Sequence, residues 1–198
     1  MKTTTLILAC LGLASTACAQ ETKTKEGYPV VLPEIRQLTL QGLYGENKLV
    51  RTAGNPLLGF TYSHFGSEEI HIGEEAKHLK TIERLHLPNF GWFFDALTGS
   101  RAGTRVKSFG LGGVVRLTST PLKEAQGALN RWYYGAGMGL YATRVEGARS
   151  TTGIGLGSRF FAGKDFTDGS LIELSYSYRP GTQGVHPSGL ALGLGRRF

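Results

Sequence analysis

The C-terminal segment, residues 188–198, constrains the fold of this chain more than any other stretch. Large apolar side chains stand at alternate positions in it: Leu190, Leu192, Leu194 and Phe198. The positions between them hold glycine or alanine as far as Gly195. Because successive side chains of a strand point to opposite faces, the segment predicts a strand with one apolar face and one nearly bare face. Such a strand suits a barrel that has lipid outside and a narrow, packed lumen inside.

The same alternation recurs in seven earlier segments of the chain. They are residues 36–45, 57–65, 88–95, 108–118, 132–143, 153–163 and 171–179. With the last strand they make eight, and an even number of strands brings both ends of a barrel to one side of the membrane. We therefore predict an all-β fold, an eight-stranded antiparallel transmembrane β-barrel over residues 36–198, with a lumen filled by its own side chains. The long connection 66–87 leaves a ten-stranded count open.

The N-terminal segment has the features of a secretory signal in the expected order. Met1 and Lys2 give a positive start, residues 6–14 are apolar, and small residues flank Cys18. We predict a cleaved signal peptide at residues 1–19, followed by an N-terminal extension at residues 20–35. Cys18 leaves a lipidated N-terminus open as an alternative. If residues 1–19 are removed, both cysteines leave with them, so no disulfide or thiol chemistry is predicted for the mature chain.

Residues 132–141, 152–157 and 186–198 resemble the small bacterial outer-membrane β-barrel proteins of the opacity-protein and OmpA-like group. The resemblance implies an outer-membrane location, contact with outer-membrane lipid and lipopolysaccharide, and assembly by the barrel assembly machinery with periplasmic chaperones. In that group the final strand ends in phenylalanine, so the resemblance marks an assembly signal at Phe198, Leu194, Leu192 and Leu190. It identifies no activity, because the group includes adhesins, lipid A-modifying enzymes and envelope stabilisers. No cofactor is predicted.

Charged residues on the inward faces of the predicted strands indicate how the lumen is filled. If residues 153–163 and 171–179 form a hairpin whose paired residue numbers add up to about 332, Arg159 lies beside Glu173. Arg116 and Arg179 are then expected to compete for the same carboxylate. Because a charge in a narrow interior is costly when unpaired, we expect a basic network around one acid that blocks any conducting path.

The connections expected on the outer side carry a surplus of basic residues. Arg101, Arg105 and Lys107 stand in the connection predicted at residues 97–107. The nearest anions to such an extracellular basic loop are lipopolysaccharide phosphates, which arginine and lysine bind well. A solubilising role explains the charge equally well. Nucleic acid is not an expected partner despite the pI of 9.5, because a protein of the outer membrane does not meet it.

Two further patterns allow a catalytic or nucleotide-binding interpretation. Glycine-rich stretches at 135–139 and 153–157 lie inside predicted strands, whereas a nucleotide-binding loop stands between a strand and a helix. His186, Ser188 and Glu173 resemble the residue set of barrel lipid A deacylases. At ~3.3 Å per residue, however, Glu173 and His186 are expected about 20 Å apart, too far for a catalytic triad.

Histidines in the connection 66–87 and just before it raise the question of a metal site. His64, His71, His78 and His86 stand among Glu68, Glu69, Glu74 and Glu75. Their spacing matches no known ligand pattern, so a charged, solvated loop is expected and no metal site is predicted. The predicted function is a non-catalytic envelope role, structural or in contact with lipopolysaccharide and other surfaces through basic loops. A lipid A deacylase or acyltransferase is the alternative, and the filled lumen disfavours a channel.

Overall fold

A computed structural model describes residues 28–72, 84–101, 103–121, 131–147, 150–182 and 184–198. Its elements are β1 (Tyr28–Leu32), β2 (Ile35–Gly45), α1 (Lys48–Thr52), β3 (Leu57–Phe65), β4 (Glu68–Ile72), β5 (Arg84–Arg101), β6 (Thr104–Pro121), β7 (Arg131–Glu146), β8 (Thr151–Asp165), β9 (Ser170–Tyr178) and β10 (Gly189–Arg197). The predicted signal peptide at 1–19 lies outside the described residues, as do residues 20–27 of the predicted extension. No helix within the described ranges has the length and apolarity that crossing a membrane requires.

Eight strands close into an antiparallel barrel in the order β10-β2-β3-β5-β6-β7-β8-β9. The C-terminal strand closes the sheet, since β10 pairs with β2 on one side and with β9 on the other. The predicted eight-stranded count is confirmed. In the described part of the chain, β1 and β4 pair with each other in a separate two-stranded sheet, so the ten-stranded alternative is wrong.

The connections divide between the two ends of the barrel, which we call the base and the mouth. The base is where β2 begins and β10 ends, and the mouth is the opposite end. At the mouth, β5 and β6 stay paired as far as Arg101 and Thr104. The basic loop predicted at residues 97–107 is therefore wrong as a loop, because Arg101 ends β5 while Arg105 and Lys107 belong to β6. The apolar alternation that marks these two segments in the sequence ends before this point, whereas the backbone pairing of β5 and β6 continues beyond it.

The outward face of the barrel carries a continuous apolar surface, which we call the apolar belt. Its large side chains are all more than a third exposed: Leu40, Tyr44, Leu58, Phe60, Phe90, Trp92, Phe109, Leu111, Trp132, Tyr134, Met138, Leu140, Ile154, Leu156, Phe160, Ile172, Leu174, Tyr178, Leu190, Leu192 and Leu194. The outward positions between them hold Gly42, Ala136, Ser158 and Tyr176. None of these belt positions carries a charge.

The inward face is closed at the mouth by an apolar group that we call the mouth cluster. It consists of Leu43, Val50, Ala53, Leu57, Leu97, Val106, Val185 and Ala191. Helix α1 brings Val50 into this cluster over Gly45, where an added Cβ would lie 2.6 Å from Val50 Cγ1. Asn47 Nδ2 donates to Gly184 O at 2.7 Å, which ties the helix to the β9–β10 connection. The barrel is thus capped from within at this end.

Aromatic rings fill much of the lumen below the mouth. These rings belong to a second buried apolar cluster, which consists of Ile35, Phe65, Phe93, Val114, Tyr133, Tyr141 and Phe161. Phe93 interrupts the polar side of its strand in the sequence, and it is fully buried beside Tyr141 at a centroid distance of 6.2 Å. The ring of Tyr141 lies against Gly157, where an added Cβ would be 2.6 Å from Tyr141 Cδ2. Inward glycines therefore make room for rings that project from neighbouring strands.

The turn between β8 and β9 closes the hairpin at the base. Phe166 N donates to Ser170 O at 2.9 Å, and Gly169 adopts a φ of +82°, which favours glycine. The Asp168 carboxylate accepts hydrogen bonds from Ser170 N at 3.0 Å and Ser170 Oγ at 2.6 Å. These hydrogen bonds lower the pKa of Asp168.

Candidate functional site

Among the residues that the structure describes, three fully buried ion pairs lie in the lumen between the wall strands. They are Arg116–Asp165, Arg159–Glu173 and Arg179–Asp95, and the last joins Arg179 Nη2 to Asp95 Oδ2 at 2.7 Å. All six side chains are at most 3% exposed. The structure brings Arg159 and Glu173 together, but it pairs Arg116 and Arg179 with carboxylates of their own. The predicted network around one acid is therefore wrong.

Neither Asp95 nor Asp165 is among the lumen acids predicted from the sequence. The sequence carries a signal for the inward position of Asp95 and none for that of Asp165. Asp95 stands at an inward position of a predicted strand, where its charge could have been noticed. The alternation in 153–163 ends before Asp165, so the sequence predicts Asp165 outside the strand, yet β8 continues to Asp165. The Asp165 side chain lies in the lumen and is 3% exposed. Its carboxylate contacts Arg116, and Arg197 Nη1 lies 3.7 Å from Asp165 Oδ2.

Two neutral side chains join the lower ion pairs into one network. Gln37 Oε1 accepts from Arg116 Nη1 at 2.8 Å, and Gln37 Nε2 donates to Glu173 Oε2 at 3.0 Å. Tyr133 Oη donates to the same carboxylate oxygen at 3.2 Å. The guanidinium of Arg116 lies 3.9 Å from the centre of the Tyr133 ring. Sequence reasoning missed Tyr133, because the aromatic neighbours Trp132 and Tyr134 hide its inward position.

The upper ion pair lies nearer the mouth. Gln41 Nε2 donates to Asp95 Oδ1 at 3.4 Å, and the Arg179 guanidinium lies 5.6 Å from the centre of the Tyr141 ring. Arg179 and Asp95 have no solvent-exposed side-chain surface. Among the described residues, the ion pairs, the rings and the mouth cluster together form a packed interior.

Two of the three residues of the suggested catalytic triad, Ser188 and Glu173, are held by other partners. Ser188 Oγ accepts from Arg179 N at 2.9 Å and donates to Arg179 O at 3.2 Å. Glu173 lies opposite Gly193 on β10, five residues along the strand from Ser188, or about 16 Å. His186 is exposed. The structure does not bring the three side chains together.

The suggested histidine metal ligands are described only in part. His64 Nδ1 lies 3.7 Å from Glu34 Oε1, and its ring stacks on Trp92 at a centroid distance of 5.7 Å. His78, Glu74 and Glu75 fall outside the described residues. Among the residues that the structure does describe, no group of three histidine, cysteine or acidic side chains is placed to hold a metal ion.

A second charged group lies on the outer surface at the mouth, and we call it the basic patch. Its members are Arg105 and Lys107 of β6 and Arg144 of β7. All three surround one carboxylate, Glu146. Arg101 is exposed at the end of β5, opposite Thr104.

Comparison with known proteins shows a shared fold. No family model and no curated protein matches the sequence. The crystal structure of Neisserial surface protein A is similar to this chain with a TM-score of 0.51 and 15% sequence identity, over 84% of this chain and 97% of that chain. At that identity the likeness supports the closed barrel fold and carries no residue roles.

Proposed function

We propose that this chain is an integral outer-membrane β-barrel protein with a non-catalytic envelope role. The apolar belt is the observation that carries the proposal. An apolar surface larger than a few hundred Å² is rare on a soluble monomer, and it marks a surface that something else covers. Here the surface runs around a barrel without open edges, the one kind of sheet that satisfies its backbone hydrogen bonds inside lipid.

The height of the belt matches a bilayer. On β7 the outward positions run without charge from Trp132 to Ala142. At ~3.3 Å per residue and a tilt of about 40°, that stretch rises about 25 Å, the height of the apolar band of outer-membrane barrels. Lys164 lies 5.4 Å from the Trp132 ring at the base side, and Arg144 follows Ala142 at the mouth side. Cations and aromatic rings at both borders are typical of membrane interfaces.

Features of the sequence support the outer membrane as the location. The signal predicted at 1–19 routes a chain across the inner membrane, and the terminal strand ending in Phe198 resembles the signal that the barrel assembly machinery recognises. Neisserial surface protein A, which has the same fold, is by its name a surface protein. Outer-membrane lipid and lipopolysaccharide are the proposed surroundings, and periplasmic chaperones are the proposed escorts.

The state of the lumen supports a role without catalysis or conduction. Each inward arginine of the three pairs is matched to a carboxylate, and the mouth cluster covers them. The role we propose is structural, or in contact with surface lipids. The alternative of a lipid A hydrolase or acyltransferase gains no support from the contacts of Glu173 and Ser188.

Expression in a Gram-negative host tests the proposal. We expect the full chain to fractionate with the outer membrane and to migrate differently on gels with and without heating, as folded barrels do. We expect the mass profile of lipid A to stay unchanged. Recovery as a soluble periplasmic protein would contradict the membrane assignment, and an altered acyl pattern of lipid A would favour the enzyme.

A further inference from the structure

We infer that the basic patch binds the phosphate group of a lipid headgroup in the leaflet at the mouth, with Glu146 as the counter-ion that the phosphate displaces. The inference rests on the proposed membrane insertion and adds a site to it. Arg105, Lys107 and Arg144 supply the charge.

The pairing of β6 with β7 gathers these residues. Arg105 lies opposite Glu146, and Lys107 lies opposite Arg144. Glu146 Oε1 is 3.0 Å from Arg144 Nε and 3.3 Å from Lys107 Nζ, and Glu146 Oε2 is 3.7 Å from Arg105 Nη1. Three cations therefore share one carboxylate, which leaves a formal surplus of two positive charges at this point of the surface.

The surplus matches the charge of a phosphate monoester, which is about −1.5 to −2 near neutral pH. A phosphate offers several acceptor oxygens, and arginine can bind two of them at once. The three basic side chains remain 52%, 36% and 56% exposed, so their heads are open to a ligand. Ion pairs this exposed contribute little to stability, and Glu146 can be displaced from its partners at low cost.

The location of the patch favours a lipid over free phosphate. Towards the middle of the barrel, the next outward residue of β6 after Lys107 is Phe109. On β7 the next outward residues after Arg144 are Ala142 and then Leu140. Phe109 and Leu140 are 50% and 61% exposed members of the apolar belt. One ligand can therefore place its phosphate on the cations and its acyl chains on the belt. Free phosphate has no acyl chain that could contact Phe109 and Leu140.

The cations at the base are arranged differently. Arg36 Nη2 is paired with Glu34 Oε1 at 2.7 Å, and the further basic group near this carboxylate is the His64 ring, at 3.7 Å. Arg36 and the exposed Arg196 therefore serve as a matched control pair, on the outer surface at the opposite end of the barrel.

Native mass spectrometry of the folded full chain in detergent can test the site, with diphosphoryl lipid A and dephosphorylated lipid A as the probes. We expect wild-type protein to retain the diphosphoryl form at least tenfold more tightly. The double variant Lys107→Gln/Arg144→Gln should lose that preference, while Arg36→Gln/Arg196→Gln should keep it within about twofold. Millimolar inorganic phosphate should not displace the lipid. Equal retention of both lipids, an equal loss in the control pair, or displacement by inorganic phosphate would overturn the inference.

A third variant tests the role of Glu146. Glu146→Gln removes the carboxylate that competes with the phosphate for the three cations, so retention of diphosphoryl lipid A should rise severalfold. Unchanged or weaker retention would overturn the proposed displacement of Glu146. These outcomes are separate from the proposed function. A chain that inserts into bilayers without preferring phosphorylated lipid A contradicts the patch alone, whereas a chain that stays out of bilayers contradicts the membrane assignment.

Discussion

Arg159 and Glu173 form a buried ion pair although they do not face each other across their two strands. Arg159 lies opposite Ser177, and Glu173 lies opposite Gly163. The guanidinium therefore reaches along the lumen towards the base to meet its carboxylate. Next to Glu173, the absence of a side chain on Gly163 leaves room for the Tyr133 hydroxyl, which donates to the same acid at 3.2 Å. The pair depends on the length of an arginine and on the space beside a glycine.

A double-mutant cycle on this pair gives the first prediction. Glu173→Gln leaves the Arg159 guanidinium buried without its counter-charge, and breaking one side of a buried pair costs about 3–5 kcal/mol. Adding Arg159→Met removes the stranded cation, so the double variant should be more stable than Glu173→Gln alone. Urea unfolding in detergent measures the free energy of unfolding of wild type, of Glu173→Gln, of Arg159→Met and of the double variant. Strict additivity of the two changes would show that the side chains are not coupled.

The alternation of side chains predicted all eight barrel strands, because the barrel has two chemically different faces along its whole circumference. The register of the β8–β9 hairpin was not predictable in the same way. Its paired residue numbers add up to 336, as in Gly163 with Glu173, rather than to 332. The shift follows from the turn, where Gly169 at a φ of +82° moves the reversal towards β9 and draws Asp165 into the lumen.

The side-chain contacts that cross the lumen were likewise not predictable from the alternation. Alternation places Arg116, Asp95 and Glu173 inside, but it does not say which strands face each other across the interior. That depends on how far the strands are staggered around the closed barrel. The pairing of Arg116 with Asp165 is a consequence of that stagger and of side-chain length.

Two neighbouring glycines of β6 give a matched prediction on packing. An added Cβ at the inward Gly112 would collide with the backbone carbonyl of Met138, whereas at the outward Gly113 the nearest atom, Gly91 O, is 4.0 Å away. Gly112→Ala should therefore destabilise the barrel by about 1–3 kcal/mol or more, and Gly113→Ala should be nearly neutral. Urea titrations of the two variants would decide it. Equal stabilities would contradict the assignment of the two faces.

The proposed membrane insertion gives a third prediction, which concerns the depth of Leu192. Leu192 stands in the middle of the belt segment of β10, and Leu192→Arg should cost about 2–4 kcal/mol in a bilayer. Ser100 is exposed on β5 beyond the belt, opposite Arg105. Ser100→Arg should cost about 0–1 kcal/mol, because a charge near the interface reaches water. The measurement is equilibrium folding into lipid vesicles. A penalty as large at Ser100 as at Leu192 would contradict the limits of the belt.

The mouth cluster gives a fourth prediction. Val50 has no solvent exposure, while the next residue of helix α1, Arg51, is exposed. Val50→Asp places a charge among apolar side chains, so the helix should leave the mouth and residues 46–56 should become sensitive to protease. Arg51→Asp should leave proteolysis unchanged. Cleavage at equal rates in both variants and wild type would show that Val50 does not hold the helix.

Fluorescence quenching by brominated lipid tests the central claim most directly. The chain has two tryptophans, and both Trp92 and Trp132 belong to the apolar belt at 45% and 59% exposure. If the belt lies in lipid, their emission should fall strongly when the folded chain is inserted into vesicles of brominated phosphatidylcholine rather than the unbrominated lipid. Single variants Trp92→Phe and Trp132→Phe should each retain the quenching of the remaining ring. Folded, vesicle-bound protein whose emission is the same in both lipids would contradict the membrane-spanning barrel.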